Sequence, residues 1–290
     1  MNVNYQDFKI IFTVFLFWFS IQFGEIVEDT AAYFMVLTLG IVHGANDLLI
    51  LKKNEKNKKR FFRSVLGYLA LIDVCIASYF INPFISLLLF ILLSAYHFGE
   101  EHFEDKIDGP SWLSYSIYMI YGLVIFSMIF YENIEEVNTI VSDLSGNLFS
   151  RQLIFYILIA TLILLIVLFL VGFFKKNEFK MNVYKEVFYL ALLYLVFKTT
   201  SLILGFAIYF ILWHSIPSII NQTEYISGNV SKKSFLHYFK NASPIWLLSI
   251  TGMVILYLYL DKSLFSSVIF LILFAVTAPH AWVMYRMRKD

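Results

Sequence analysis

The sequence predicts an all-α integral membrane protein, a polytopic bundle of about ten transmembrane helices with both termini on the inner side of the membrane. Hydrophobic residues make up 60% of the 290 residues and charged residues only 15%, which is too apolar for an ordinary soluble domain. The apolar residues form long continuous runs and do not alternate with polar residues as the strands of a membrane barrel would. A net charge of +1 gives the chain no strongly basic surface, so no nucleic acid partner is expected.

Each predicted span is an apolar run bounded by polar residues, because a helix needs about 20 such residues to cross the hydrocarbon core. In chain order the runs cover roughly 9–23, 30–51, 64–82, 83–102, 114–131, 152–174, 184–200, 201–222, 243–260 and 263–285. The first run lacks a small-residue cleavage site before the acidic residues 25–29, which favours a retained span over a removed signal peptide. No internal repeat and no long linker divides the chain, which indicates a single integral membrane domain over residues 1–290.

The lysines and arginines predict the orientation, because the inner loops of membrane proteins carry the excess of these residues. With the N-terminus inside, all 22 of them except Arg151, Lys198 and Lys262 fall on the inner side, including the basic run 52–63. The acidic segment 25–29 then falls outside. The predicted topology is therefore N-in and C-in.

Four of the six histidines share one predicted depth inside the membrane: His43, His97, His214 and His280. All four lie on even-numbered spans, about six to nine residues before the inner end, which places them about 9–13 Å from the inner boundary. Imidazole is a common ligand of iron, zinc and copper, and ionisable groups inside a span mark functional sites. The shared depth predicts one buried metal site with these four ligands, whereas His102 and His237 are predicted to be surface residues.

Three carboxylates are predicted to support this site from outside the ligand shell. A metal-bound histidine usually donates its second ring N–H to a carboxylate, a carbonyl or water. Asp47 follows His43 by four residues on the same helical face, and Glu100 and Glu101 occupy similar positions after His97. The same carboxylates could instead mark the inner ends of the helices.

A divalent-metal or proton transporter is the alternative interpretation, since converging histidines and broken helices also line ion paths. A transporter should carry further carboxylates at mid-membrane and often has two related halves. Here Asp73 is the one conspicuous deep carboxylate, and the sequence shows no repeat. A retinal-binding receptor would need a mid-span lysine for a Schiff base, and Lys198 lies at a span end.

Four short blocks resemble the bacterial and archaeal Brp/Blh family of membrane β-carotene 15,15'-dioxygenases, which supply retinal to microbial rhodopsins. The blocks extend over most of the chain in the family's order: His43-Gly44-Ala45-Asn46-Asp47, Tyr96-His97-Phe98-Gly99, Trp213-His214 and Ala278-Pro279-His280. One position departs from the family pattern. The family pattern has an iron-ligating histidine four residues after the histidine that corresponds to His214, and this chain has Ser218 at that position.

The resemblance implies cleavage of β-carotene by O2 at the central 15,15' double bond to two all-trans-retinal, at a non-haem Fe(2+) with no catalytic residue beyond its ligands. His280 is the predicted replacement for the histidine absent at Ser218, unless water completes the site. The resemblance further implies a multi-pass protein of the cell inner (plasma) membrane, surrounded by lipid, whose product passes to a retinal-binding microbial rhodopsin. Three aromatic residues beside the ligands are predicted to line the substrate tunnel: Tyr96, Trp213 and Trp282.

Overall fold

The structure, a computed structural model, describes residues 5–55, 57–107, 111–174 and 179–288, and most of these residues are helical. This part of the chain forms thirteen α-helices: α1 Tyr5–Gln22, α2 Glu25–Met35, α3 Asp47–Asn54, α4 Lys58–Ile81, α5 Pro83–Phe103, α6 Trp112–Glu132, α7 Ile134–Ser145, α8 Arg151–Phe174, α9 Val183–Thr199, α10 Leu202–Ile208, α11 Ile216–Ser227, α12 Lys232–Tyr259 and α13 Lys262–Met287. Two π-helical stretches, Val36–Gly40 and Tyr209–Ser215, follow α2 and α10. Among the described residues, strand pairing is limited to a single bridge between Ile107 and Phe179.

Seven helical segments of the described chain are long and apolar enough to cross a membrane, in agreement with the predicted class of protein. These segments are Lys58–Ile81, Pro83–Lys106, Trp112–Glu132, Arg151–Phe174, Leu202–Ser227, Lys232–Tyr259 and Val268–Met287. The other three predicted spans, 9–23, 30–51 and 184–200, are at least partly helical. None of them is among the described segments that are long and apolar enough to cross a membrane. The count of about ten spans and the N-in orientation stay predictions.

Some of the basic residues that predict the orientation fall outside the part of the chain that the structure describes. Lys56, Lys175, Lys176 and Lys289 lie outside the described residues, as does the side chain of Lys262.

The chain folds into two compact units, each made of discontinuous segments. Unit 1 comprises Met1–Val36, Ser94–Thr139 and Leu148–His214. Unit 2 comprises Leu37–Leu93, Ile140–Asn147 and Ser215–Asp290. Two of the four predicted metal ligands, His97 and His214, therefore belong to unit 1, and the other two belong to unit 2.

The core of unit 1 is built around α6, which packs against α8 and α9 and is buried over most of its length. Helix α6 also approaches the second half of α5 closely, backbone against backbone. A Cβ atom on Gly122 would lie 1.8 Å from the carbonyl oxygen of Ala95, and one on Gly99 would lie 1.9 Å from that of Tyr118. Only glycine fits at either position, and the contact fixes the part of α5 that carries His97.

Carboxylates hold the start of α10, the helix that leads to His214. The backbone N–H of Ser201 donates to Glu28 Oε2 at 2.9 Å, and that of Leu202 donates to Glu136 Oε2 at 3.1 Å. These contacts satisfy amides that a helix leaves without an internal partner, and the helix dipole favours negative charge there. Burial, and then the neighbouring carboxylates, raise the pKa of both Glu28 and Glu136 above the ordinary value.

In unit 2, α13 packs along α3 and α4, and α11 packs against α3 and α12. Arg286 near the end of α13 donates to Glu55 Oε1 at 2.6 Å and to the Ser64 hydroxyl at 2.7 Å. The hydrogen bonds from Arg286 and Ser64 lower the pKa of Glu55. This ion pair joins the end of α13 to the segment between α3 and α4.

The predicted span 30–51 is not one continuous helix, which corrects the sequence prediction. Helix α2 ends at Met35, a π-helical stretch follows, residues 43–46 form turns, and α3 begins at Asp47. Glycine and asparagine in the segment 43–46 favour turns, but a count of apolar residues does not register a short break of this kind. His43 therefore lies in a turn and not within a regular helix.

Candidate metal centre

Unit 2 holds two of the predicted ligands as a buried pair. His43 lies in the turn before α3, and His280 lies in α13. Their ring centroids are 4.7 Å apart, and the ring planes are nearly perpendicular, at 85°. With a metal–nitrogen bond of about 2.1 Å, the centroids of two imidazoles at adjacent positions on one ion lie about 4.5–5.3 Å apart. The pair therefore fits two ligands of a single metal ion.

The second ring nitrogens of this pair have acceptors that determine which nitrogen carries the proton. His280 Nδ1 lies 2.8 Å from Asp47 Oδ1, and His43 Nδ1 is hydrogen-bonded to the carbonyl oxygen of Gly40. Because a carbonyl or carboxylate oxygen can only accept, each Nδ1 carries the hydrogen, and the lone pair of each neutral ring is on Nε2. A carboxylate or carbonyl behind the ring is the usual environment of a metal-bound histidine.

Asp47 contacts a different histidine from the one that its spacing predicted. The turn at 43–46 removes the helical geometry that would place Asp47 beside His43, and the carboxylate lies against His280 instead. Its other oxygen accepts a hydrogen bond from the Tyr68 hydroxyl at 3.1 Å. Asp47 is thus held between α4 and α13 at the start of α3.

Unit 1 holds the other two predicted ligands, also as a buried pair. His97 in α5 and His214 in the π-helical stretch Tyr209–Ser215 have ring centroids 4.7 Å apart at an angle of 79°. Both histidines are almost completely buried, with 1% of the surface of each exposed. Phe98 and Phe210 pack against the His214 ring, at centroid distances of 4.6 Å and 5.7 Å. The spacing again fits two ligands of one ion, and the His214 ring packs against two phenylalanine rings.

Glu100 and Glu101, the other predicted supporting carboxylates, are both buried near the end of α5. Glu100 Oε2 lies 3.9 Å from His97 Nδ1, which is too long for a hydrogen bond. Their support of a metal ligand stays a prediction.

The predicted tunnel residues lie in three different surroundings. Tyr96 is half-buried and meets Tyr118 edge to face, with centroids 6.0 Å apart. Trp213 is buried, with the Lys9 ammonium group 4.1 Å from its ring centroid. Trp282 is half-buried in α13. Whether these residues line a substrate tunnel stays a prediction.

His102 is buried, which corrects the prediction that it is a surface residue, whereas His237 is exposed as predicted. His102 Nε2 lies 2.7 Å from Glu186 Oε2 and 2.9 Å from Lys106 Nζ, and Lys106 donates to Glu186 Oε1 at 2.8 Å. This cluster joins the end of α5 to α9. The sequence offered one signal for it, because Glu186 lies inside the predicted span 184–200 and a carboxylate there needs a buried partner.

Ser218, at the position where the resemblance expects a histidine, is fully buried in α11. Its hydroxyl accepts a hydrogen bond from Gln222 Nε2 at 3.0 Å and lies 3.9 Å from the sulfur of Met284. The position therefore packs within unit 2 and faces a thioether and an amide.

No group of three or more histidine, cysteine or carboxylate side chains in the described residues is arranged to hold a metal ion by itself. Each unit brings together one pair of predicted ligands. The convergence of all four imidazoles on one ion stays a prediction.

The long apolar helices indicate a membrane protein, and each of its two units holds one buried pair of histidines. A scan of protein families matches residues 34–288 to the family described as beta-carotene 15,15'-dioxygenase. The match covers most of the chain and contains all four histidine blocks, so the chain belongs to this family, as the sequence predicted.

Membership implies a carotene dioxygenase with β-carotene as its substrate. It does not favour the transporter interpretation. Comparisons with curated proteins and with solved structures returned no match.

Proposed function

We propose that this protein cleaves β-carotene with O2 at the central 15,15' double bond to give two all-trans-retinal. The proposed centre is a non-haem Fe(2+) ion with four histidine ligands, His43, His97, His214 and His280. The observation that carries the proposal is the geometry within each pair, since a ring spacing of 4.7 Å suits two adjacent ligands of a metal ion. Membership of the family supplies the class of reaction.

The overall reaction balances without a further reductant. The central carbon–carbon double bond and the O–O bond break, and a carbonyl group forms on each half of the substrate. When bound, ferrous iron supplies the redox chemistry that lets O2 react with a neutral polyene. No protein nucleophile or acid–base pair is needed for this balance.

The side chains of the protein are proposed to orient the ligands and to exclude water. Asp47 accepts from His280 Nδ1, and the Gly40 carbonyl accepts from His43 Nδ1, so each ring keeps Nε2 for the metal. Phe98 and Phe210 surround His214 with apolar surface. Glu100 and Glu101 are proposed to support His97 in the same manner as Asp47 supports His280.

The membrane setting suits the substrate. β-Carotene is an apolar rod about as long as the hydrocarbon core of about 30 Å is thick, so it reaches a site inside the protein laterally from lipid. Central cleavage then depends on how far the substrate extends to each side of the metal, which is a matter of positioning. Tyr96, Trp213 and Trp282 are the residues proposed to contact the polyene.

We place the protein in the cell inner (plasma) membrane with about ten spans, N-in and C-in. Retinal is apolar and reactive, so a retinal-binding microbial rhodopsin in the same membrane is the proposed acceptor. The seven apolar segments of the described chain support the membrane location.

Expression in cells that accumulate β-carotene tests the activity. The wild-type protein should bleach the pigment and produce retinal, and the purified protein should contain about one iron per chain. Unchanged carotene together with altered cellular metal uptake would contradict the proposal and support ion transport.

The fourth ligand is tested by replacing His280 and Ser218. His280→Ala should lose iron and activity if His280 binds the metal, while retention of both would remove it from the ligand set. Ser218→His, made in the His280→Ala background, should restore iron only if position 218 can reach the metal. The buried contacts of Ser218 with Gln222 and Met284 leave the introduced ring to compete with existing packing.

A further inference from the structure

The turn that carries His43 is held by side chains from two other helices of unit 2. Gln222 Nε2, on α11, donates to the carbonyl oxygen of His43 at 2.8 Å. The hydroxyl of Tyr238, on α12, lies 3.3 Å from the carbonyl oxygens of both Val42 and His43. Gln222 and Tyr238 are fully buried, with 0% of their surface exposed.

The turn needs these contacts because its own hydrogen bonds are long. The donor–acceptor distances are 3.3 Å from His43 N to Leu39 O, 3.2 Å from Ala45 N to Val42 O and 3.4 Å from Asp47 N to Gly44 O. Typical backbone hydrogen bonds measure about 2.9–3.0 Å. Where a helix breaks, its carbonyl groups lose their regular amide donors, and a buried carbonyl needs a donor from elsewhere.

The two side chains also orient each other. The Tyr238 hydroxyl lies 3.0 Å from Gln222 Oε1, which makes this oxygen its nearest acceptor. The amide of Gln222 is then fixed with its oxygen towards Tyr238 and its NH2 group towards His43, where it also donates to Ser218. At the other end of the turn, Asn46 Nδ2 donates to the backbone carbonyl of Tyr238 at 3.2 Å. Both ends of the turn are thus tied to one polar cluster.

The direction of the His43 ring depends on the shape of this turn. Its Nδ1 hydrogen bonds to the carbonyl of Gly40, three residues earlier in the chain. A shift of the backbone at His43 therefore moves the ring relative to its acceptor and relative to His280, whose ring centroid is 4.7 Å away.

We propose that Gln222 and Tyr238 are positioning residues for His43: they fix the turn at residues 43–46 and so aim the imidazole. The proposal rests on the proposed function of His43 as a metal ligand, but the fixing of the turn itself does not require a metal. Gln222 and Tyr238 hydrogen-bond to backbone carbonyl oxygens of the turn. Each acts through the backbone that carries the His43 ring.

Hydrogen exchange of the full-length, metal-free protein in detergent tests the fixing of the turn. Gln222→Leu keeps the approximate size of the side chain without its donors, and Tyr238→Phe removes only the hydroxyl. The matched control is Thr223→Val, the next residue of α11, which is equally buried and whose hydroxyl has no hydrogen-bond partner in the described structure. Loss of a buried hydrogen bond should speed exchange of the amides at 43–47 by roughly tenfold.

The localisation of the effect decides between positioning and general loss of stability. In both variants exchange should accelerate at residues 43–47 and stay unchanged in α6, and the control should match wild type. Unchanged exchange at 43–47 would overturn the proposal. Equal acceleration in α6 would also overturn it, because the two side chains would then act on the whole fold.

Cobalt(II), added to the iron-free protein, provides a readout of the ligand itself. Wild type and Thr223→Val should share one visible spectrum, while Gln222→Leu should give an altered spectrum and a lower kcat at an unchanged KM for β-carotene. An unaltered spectrum in Gln222→Leu would show that the turn does not aim the ring and would overturn the proposal. If cobalt does not bind the wild-type protein, the proposed metal centre fails, while the exchange experiment still decides whether the turn is fixed.

Discussion

Replacing Asp47 by asparagine tests the support of His280 with the smallest change of shape. Asp47 is buried, and its two oxygens accept from His280 Nδ1 at 2.8 Å and from the Tyr68 hydroxyl at 3.1 Å. Hydrogen bonds to a charged group contribute about 1.5–3 kcal/mol, against about 0.5–1.5 kcal/mol between neutral groups. Neutralising the acceptor of two such bonds should therefore lower the free energy of unfolding by about 2 kcal/mol.

The same change should weaken iron binding by about 10–100-fold, because the group behind a ligating histidine sets its orientation and basicity. Thermal unfolding of the detergent-solubilised apoprotein measures the first effect, and competition with a chelator measures the second. Tyr68→Phe is the control, since it removes one hydrogen bond to Asp47 and none to His280. If Asp47→Asn binds iron as tightly as wild type, the carboxylate does not support His280, and the reasoning from its geometry is refuted.

Three further predictions concern stability. Gly122→Ala should lower the free energy of unfolding by about 1–3 kcal/mol, because the added Cβ would overlap a backbone carbonyl of α5. Gly24→Ala is the control, since a Cβ there meets nothing within 4 Å, and equal melting temperatures of the two variants would contradict the prediction. Glu28→Gln should raise the melting temperature at neutral pH, because the raised pKa of Glu28 means that its ionisation costs stability as the pH rises through that pKa. The difference in melting temperature between variant and wild type should vanish below the ordinary pKa of 4.5. A difference that does not change with pH would count against the burial of Glu28. Glu55→Gln should lower the melting temperature at neutral pH relative to wild type. This difference should shrink as the pH falls through the lowered pKa of Glu55, because the wild type then loses the charge that pairs with Arg286. A difference that stays constant with pH would show that the ion pair does not cause it.

Hydropathy predicts the long apolar helices well. The predicted span 64–82 corresponds to α4, Lys58–Ile81, and 152–174 corresponds to α8, Arg151–Phe174. Pro83 begins α5, as the predicted boundary at this residue requires. These elements were predictable because a spanning helix must be continuously apolar over its full length.

The sequence also predicted that four histidines are buried, but not how they pair. The contact between His280 and Asp47 joins residues 233 positions apart, and no local spacing reports such a partner. The turn at 43–46 was missed for a different reason, since a break of four residues hardly changes the apolar content of a span. Tyr238 was missed because it lies in a polar segment between predicted spans, where burial is not expected.

Buried ion pairs were predictable only in outline. Glu186 lies inside a predicted span and so could have signalled a buried partner, but the candidates for that partner, Lys9, His102 and Lys106, lie in other helical segments. The structure places His102 and Lys106 within hydrogen-bond distance of this carboxylate. Which cation meets a given carboxylate is decided by how helices pack, and that information is spread over the whole chain.

In the π-helical stretch Tyr209–Ser215, the direction in which His214 points around the helix axis depends on the number of residues that precede it. Each residue advances a helix by about 100°, and a wide turn accommodates one residue more than a regular one. A chain that lacked any single residue in this stretch before His214 would keep its apolar character, yet its imidazole would swing about a quarter of a revolution away from His97. In this segment the number of residues, and not only their chemical type, determines whether the two rings meet.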